Sequence, residues 1–169
     1  RFSEDLDFAL IRGDEDAHFE RAVKRVENIF QAEGYEISLK GKSEKTVASV
    51  FIGFTGLLYE LGLAPRRRQI FSVKVEVDTN PPIGARLDTT LVRRHVTLNL
   101  HHYDKASLLS GKVHALLCRS WCKGRDLYDL VWYLSDTTWP EPNLTLLNSA
   151  LSQTGWTGPE LFAGNWRGV

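Results

Sequence analysis

The stretch from Ile70 to Asp78 alternates strictly, with Phe71, Val73, Val75 and Val77 on one side and Ser72, Lys74, Glu76 and Asp78 on the other. A period of two marks a strand with one buried and one solvated face. The Asn80-Pro81-Pro82 turn must end it, because proline donates no ladder hydrogen bond. A strand of this kind needs a covering layer on its apolar side only. The segment from Asp14 to Glu33 can supply that layer: Phe19, Ala22, Val23, Val26, Ile29 and Phe30 recur at helical spacing, acidic residues stand at its start and Gly34 follows its end. Between them, Tyr35 to Tyr59 is rich in β-branched and aromatic residues and broken by Gly41, Gly53 and Gly56, which predicts paired antiparallel strands. Phe2 to Ile11 alternates too, placing Leu6, Phe8 and Leu10 on one side and Asp5 and Asp7 on the other. One more strand is expected between Leu91 and Leu100.

The last third changes character. Ala106, Leu109, Val113, Leu116 and Leu117 are spaced as a helix, and a second apolar-periodic stretch runs from Leu127 to Leu134, so two packed helices are expected. Beyond Thr138 the prolines and glycines Pro140, Pro142, Gly155, Gly158, Pro159 and Gly164 allow one short helix, Leu144 to Leu151, and predict a loosely ordered tail. The class is α+β: a mixed, mainly antiparallel sheet flanked by helices, with a C-terminal helical region. At 169 residues and 43% hydrophobic composition the chain can bury one solid core and a second small one. The expected division is an α+β core over residues 1–103 and a helical region over 104–169.

Lysine plus arginine and aspartate plus glutamate each number 21, so net charge is zero and any basic binding site must be local. No apolar run approaches the roughly 18 residues of a membrane span, and no charged segment followed by an apolar core opens the chain as in a signal peptide. Cys118 and Cys122 stand four apart in a stretch that reads as helix, which suits reduced thiols. A soluble cytoplasmic protein without a membrane partner is expected. The chain has no methionine and opens on Arg1-Phe2-Ser3-Glu4-Asp5, and is read as a piece of a longer protein.

The strongest chemical signal is Ser3-Glu4-Asp5-Leu6-Asp7-Phe8, where alternate carboxylates share one strand face. Oxygen ligands of this kind suit magnesium, which keeps coordination places for phosphate oxygens. A third carboxylate from a neighbouring strand would complete a two-ion site; Glu76 and Asp78 lie on the same polar face, and spacing does not choose between them. The plain alternative is a solvated acidic face. Against it stands the crowding of three acidic residues into a strand, where such residues are depleted. A second signal is basic: Lys112, Arg119, Lys123 and Arg125 surround a helix junction, a setting suited to phosphate oxygens. Its alternative is a salt-bridged junction with Asp126 capping the second helix.

The opening Arg1-Phe2-Ser3-Glu4-Asp5-Leu6-Asp7-Phe8, the strand Val73-Lys74-Val75-Glu76-Val77, and the helical blocks carrying Lys112, Ala115-Leu116, Arg119 and Lys123-Gly124-Arg125-Asp126-Leu127-Tyr128-Asp129-Leu130 together resemble the AbiEii/AbiGii nucleotidyltransferase family. The likeness runs from residue 1 to about Leu134, in matching order. It implies a DNA polymerase β-like nucleotidyltransferase core with a helical C-terminal region, acting as the toxin of a toxin-antitoxin or phage-defence pair. By resemblance, Asp5, Asp7 and Glu76 hold Mg2+; Ser3, Lys112, Arg119 and Arg125 contact the nucleoside triphosphate; and Asp126 belongs to a second cluster near the site. Implied partners are a nucleoside triphosphate, an RNA acceptor such as the end of a tRNA, and a cognate antitoxin.

Members of that family carry, upstream of the aspartate motif, a helix and a Gly-Gly-Thr or Gly-Ser turn that grips the triphosphate through backbone amides. The sequence begins after that point, so weakened nucleotide binding is expected of it. A non-catalytic binding module that keeps the fold and partners an antitoxin or nucleic acid is the alternative. A sugar transferase using Asp-x-Asp would need a larger donor domain.

Three other features are tempting. His95, His101 and His102 cluster near a strand, but adjacent histidines point to opposite faces and chelate poorly. Arg66-Arg67-Arg68 could grip RNA phosphates, although a solvated turn explains it more simply. Trp139, Trp156 and Trp166 could cover an apolar surface or meet a partner.

Overall fold

A computed structural model describes residues 5–11, 16–42 and 47–169. The chain forms two compact units, Arg1–Pro81 and Pro82–Val169. Ser3, Glu4 and Asp14, all singled out in the sequence, lie outside the described residues.

In the first unit, β1 (Asp5–Ala9), α1 (Asp16–Ala32), β2 (Glu36–Lys42), β3 (Val47–Thr55), the short α2 (Leu57–Glu60) and β4 (Ile70–Asp78) follow in chain order. The sheet order is β1-β4-β3-β2. β1 runs parallel to β4, while β3 is antiparallel to both β4 and β2, giving the mixed, mainly antiparallel sheet that the strand patterns predict. Val50, Ile52 and Phe54 form the centre of its apolar face, and Phe19, Val23, Val26 and Phe30 of α1 pack onto them with Val73 and Val75. The Phe54 ring meets Phe30 edge-on at 5.0 Å, a preferred aromatic arrangement. Gly34, at φ 88°, turns the chain out of α1 in the left-handed region that glycine enters without a Cβ penalty. With α1 covering one face of the sheet, the period-two alternation sends the charged residues of β1 and β4 to the other.

The second unit holds β5 (Leu87–Arg93), β6 (Thr97–Tyr103), α3 (Lys105–Cys118), α4 (Gly124–Ser135) and α5 (Leu144–Gln153). The single strand expected between Leu91 and Leu100 is instead the inner part of a β5–β6 hairpin, paired antiparallel from Leu87↔Tyr103 to Arg93↔Thr97. Its turn is Arg94-His95-Val96, which contains no glycine, proline, asparagine or aspartate, so the usual signal of a hairpin is missing. The three expected helices are present. Asp104 caps α3 by accepting from the Ser107 amide at 2.7 Å, and Asn143 caps α5 by accepting from the Leu146 amide at 3.2 Å. α3 stops at Cys118, so Cys122 lies in the loop after it and the two thiols do not share a helix face.

The tail also departs from expectation. Leu161 and Trp166 join Leu109, Val113, Tyr133, Leu147 and Leu151 in one core. Asn148 fastens the returning chain, its side chain bonding both the amide and the carbonyl of Leu161 at 2.9 and 2.8 Å. The Trp166 indole donates to Glu141. Prolines and glycines here turn the chain back onto the helices, and burial of Leu161 and Trp166 supplies the energy that orders it.

Candidate functional site

The register of the first sheet brings the acidic residues together. Asp5 sits opposite Lys74 and Asp7 opposite Glu76 across the parallel β1–β4 pair. Asp78 lies beside Ala9 instead, and its carboxylate accepts from the Asn80 amide at 2.9 Å, closing the turn that ends β4. Spacing left Glu76 and Asp78 equal; the register puts Glu76 next to Asp7.

Lys74 stands among these carboxylates. Its Nζ lies 2.8 Å from Glu76 Oε2. The hydrogen bond to Glu76 is the main cause that holds its pKa above the ordinary lysine value, with further attraction from Glu76, Asp5 and Asp7. Sequence reasoning did not single out Lys74, although alternation alone puts it on the same face as Glu76. Among the described residues, no three histidine, cysteine, aspartate or glutamate side chains are grouped so as to hold a metal ion. The donor set nevertheless suits a hard cation: carboxylate oxygens in adjacent register, already drawing a cation in the Lys74 ammonium. An ion that binds there competes with the Lys74 ammonium for Glu76.

The second unit carries a buried ionic network at the α3–α4 junction. Asp126 and Asp129 are buried at 2% and 8% exposure. Lys112 reaches from α3 to Asp129 Oδ2 at 2.8 Å and Asp126 Oδ1 at 3.5 Å, while Arg119 pairs with the other oxygen of Asp126. Buried carboxylates carry a desolvation cost of several kcal/mol each unless paired and hydrogen-bonded, and here two cations face two carboxylates. The α4 cap is Lys123, and no side chain bonds the free amides there. Asp126 therefore acts across the junction and not as a cap. Asp129 was missed from the sequence, yet it lies three residues after Asp126, on the same helix face. Arg125 is exposed, and Lys123 Nζ lies 5.5 Å from the Trp121 ring centre.

Close by in α3, His114 Nε2 and the Cys118 thiol both contact Thr154 Oγ1, at 3.0 and 3.2 Å. Burial is the main cause that lowers the His114 pKa; Arg119 lowers it further, and a backbone hydrogen bond to Ala150 opposes both. On the β5–β6 hairpin, His101 and His102 bond Thr89 and Thr90 at 3.0 and 2.8 Å. Arg67, of the arginine run, lies 3.5 Å from Glu60. Among the described residues no helix is long and apolar enough to cross a membrane.

A family model described as "Nucleotidyl transferase AbiEii toxin, Type IV TA system" matches residues 1–163. No curated protein and no solved structure matches the chain.

Proposed function

The chain belongs to the AbiEii nucleotidyl transferase toxin family, and from that premise we propose that it is a magnesium-dependent, cytoplasmic enzyme that transfers a nucleotide from a nucleoside triphosphate to an RNA acceptor, such as the end of a tRNA. It acts as the toxin of a toxin-antitoxin or phage-defence pair, with a cognate antitoxin as partner. The observation that carries the reading is the adjacency of Asp7 and Glu76 on a sheet face that also bears Asp5. In the transfer, the acceptor hydroxyl oxygen bonds to the α-phosphorus, the bond from that phosphorus to the bridging oxygen breaks, and pyrophosphate leaves. The hydroxyl proton passes to the carboxylate face. Magnesium held by Asp5, Asp7 and Glu76 would supply charge neutralisation at the phosphates and make the hydroxyl a better nucleophile.

Ser3, Lys112, Arg119 and Arg125 are the candidate triphosphate contacts in this reading, and Lys112 is paired with Asp126 and Asp129. Lys112 and Arg119 are already paired with carboxylates, so they bind phosphate by sharing their remaining donors. Asp7→Asn removes one ligand charge at nearly constant volume. Transfer should be abolished while circular dichroism and thermal unfolding stay as in the wild type. Retained transfer by Asp7→Asn would sink the assignment.

A second reading draws on the Lys74–Glu76 pair. A carboxylate face already neutralised by an internal ammonium is also what a non-catalytic binding module would keep. Nucleotide titration in magnesium separates the two.

A further inference from the structure

The carboxylate face continues across the sheet into a different surface. In one row across β1, β4, β3 and β2, Asp5 stands opposite Lys74, Lys74 opposite Phe51, and Phe51 opposite Lys40. Phe51 is 45% exposed, and Lys74 Nζ lies over its ring, 5.8 Å from the centre. In the next row Ser72, Gly53 and Ser38 are likewise in register. Gly53 floors a hollow of about 60 Å³ walled by Phe51, Ile70, Ser38, Ser72 and Lys40. A Cβ on Gly53 would stand 2.6 Å from Ser38 Oγ and 2.9 Å from Ile70 Cγ2, so only glycine keeps the hollow open without a shift.

We propose that this face seats a nucleotide next to the 3′ end of a single-stranded RNA acceptor, with its base stacked on Phe51, its phosphate against Lys40 and its ribose 2′-hydroxyl in the hollow over Gly53. An exposed aromatic ring flanked by lysines on an open sheet face is the arrangement that takes an unpaired base without a sequence requirement. The two serine hydroxyls of the hollow suit a ribose hydroxyl, which tells RNA from DNA. Phe51 lies two strands from Asp5, about 10 Å at ordinary strand spacing. A nucleotide seated there is too far away for its own hydroxyl to reach the carboxylates, so the RNA runs on by at least one nucleotide before its terminal hydroxyl meets them. The identity of the acceptor rests on the nucleotidyltransferase reading; the binding surface does not.

The probe is a short single-stranded oligoribonucleotide with 2-aminopurine one residue before its 3′ end, whose fluorescence falls on stacking. Wild type should quench it, and Phe51→Ala should abolish the quench and weaken binding roughly ten- to a hundred-fold, the scale of one lost base–aromatic stack. Phe51→Trp should keep both. Phe51→Leu, which preserves apolar bulk, should behave as alanine does, so a loss caused by misfolding is recognised. The matching deoxyribonucleotide should bind more weakly than the RNA. Equal binding by wild type and Phe51→Leu overturns the proposal, and so does a Phe51→Leu variant that binds the oligonucleotide normally but loses nucleoside triphosphate. Quenching that survives Asp7→Asn, in a protein whose transfer activity does not depend on Asp7, would leave the platform standing while the catalytic reading falls.

Discussion

His114 shows how a single side chain ties packing to pH. It is held half-buried on α3, bonded to Thr154 of the turn after α5, and burial keeps its folded pKa below the ordinary value. The unfolded chain takes up a proton near pH 6.5, which the folded imidazole resists. Folded stability is therefore fully present above that value and is lost as pH falls through the folded pKa. Thermal unfolding between about pH 7 and 5.5, across histidine's ordinary range, should show a steeper loss of Tm for wild type than for His114→Gln. Equal slopes would mean that the imidazole is free to charge in the folded state. None of this was legible in the sequence, because the burial that lowers the pKa is made by the fold, and the Thr154 hydroxyl that His114 bonds lies forty residues away. Lys74 is the opposite case: its face follows from alternation, and only its partner had to be supplied by the fold.

At the scale of elements, patterns of local period were the legible part. Alternation located β4 and sided its residues correctly, and helical spacing located α1, α3 and α4. Pairing was not legible, since nothing within β1 or β4 says that Asp7 stands opposite Glu76 and Asp78 opposite Ala9; register is set by the whole sheet. The α3–α4 junction lies between these cases. The basic residues and Asp126 stood out in the sequence, but their direction did not, and the structure turns Lys112 and Arg119 onto buried carboxylates. Truncating Asp126 to Ala leaves Asp129 facing two cations at the junction. Both cations keep partial solvent access, with side-chain exposures of 25% and 38%, so the cost falls toward the low side of a broken buried pair, about 2 to 3 kcal/mol. Urea denaturation of Asp126→Ala should show this as a lower midpoint at unchanged slope. A loss under about 0.5 kcal/mol, the scale of an ordinary surface substitution, would show that apolar packing holds α3 to α4 and that the ionic network is free for phosphate.

For the whole molecule, equal numbers of acidic and basic side chains leave no net field to draw in a polyanion. Any affinity for a nucleoside triphosphate must then come from local charge, and on the β1–β4 face the carboxylates repel phosphate unless a divalent cation intervenes. This makes magnesium dependence a sharper test than binding itself. Isothermal titration with each nucleoside triphosphate should give heat in magnesium and none in chelator, and an Asp5→Ala, Asp7→Ala double variant should lose the magnesium-dependent heat. The double variant removes two carboxylates that repel each other but also attract Lys74, so its thermal unfolding is measured beside that of wild type. Binding lost in the variant locates the donor site on this face and justifies a search for the RNA acceptor. Binding equal in the two proteins would move the donor site to the cations of the second unit. A folded wild type that binds no nucleotide in magnesium would leave the carboxylates as an acidic surface neutralised by Lys74, and the binding-module reading would replace the enzyme for this chain.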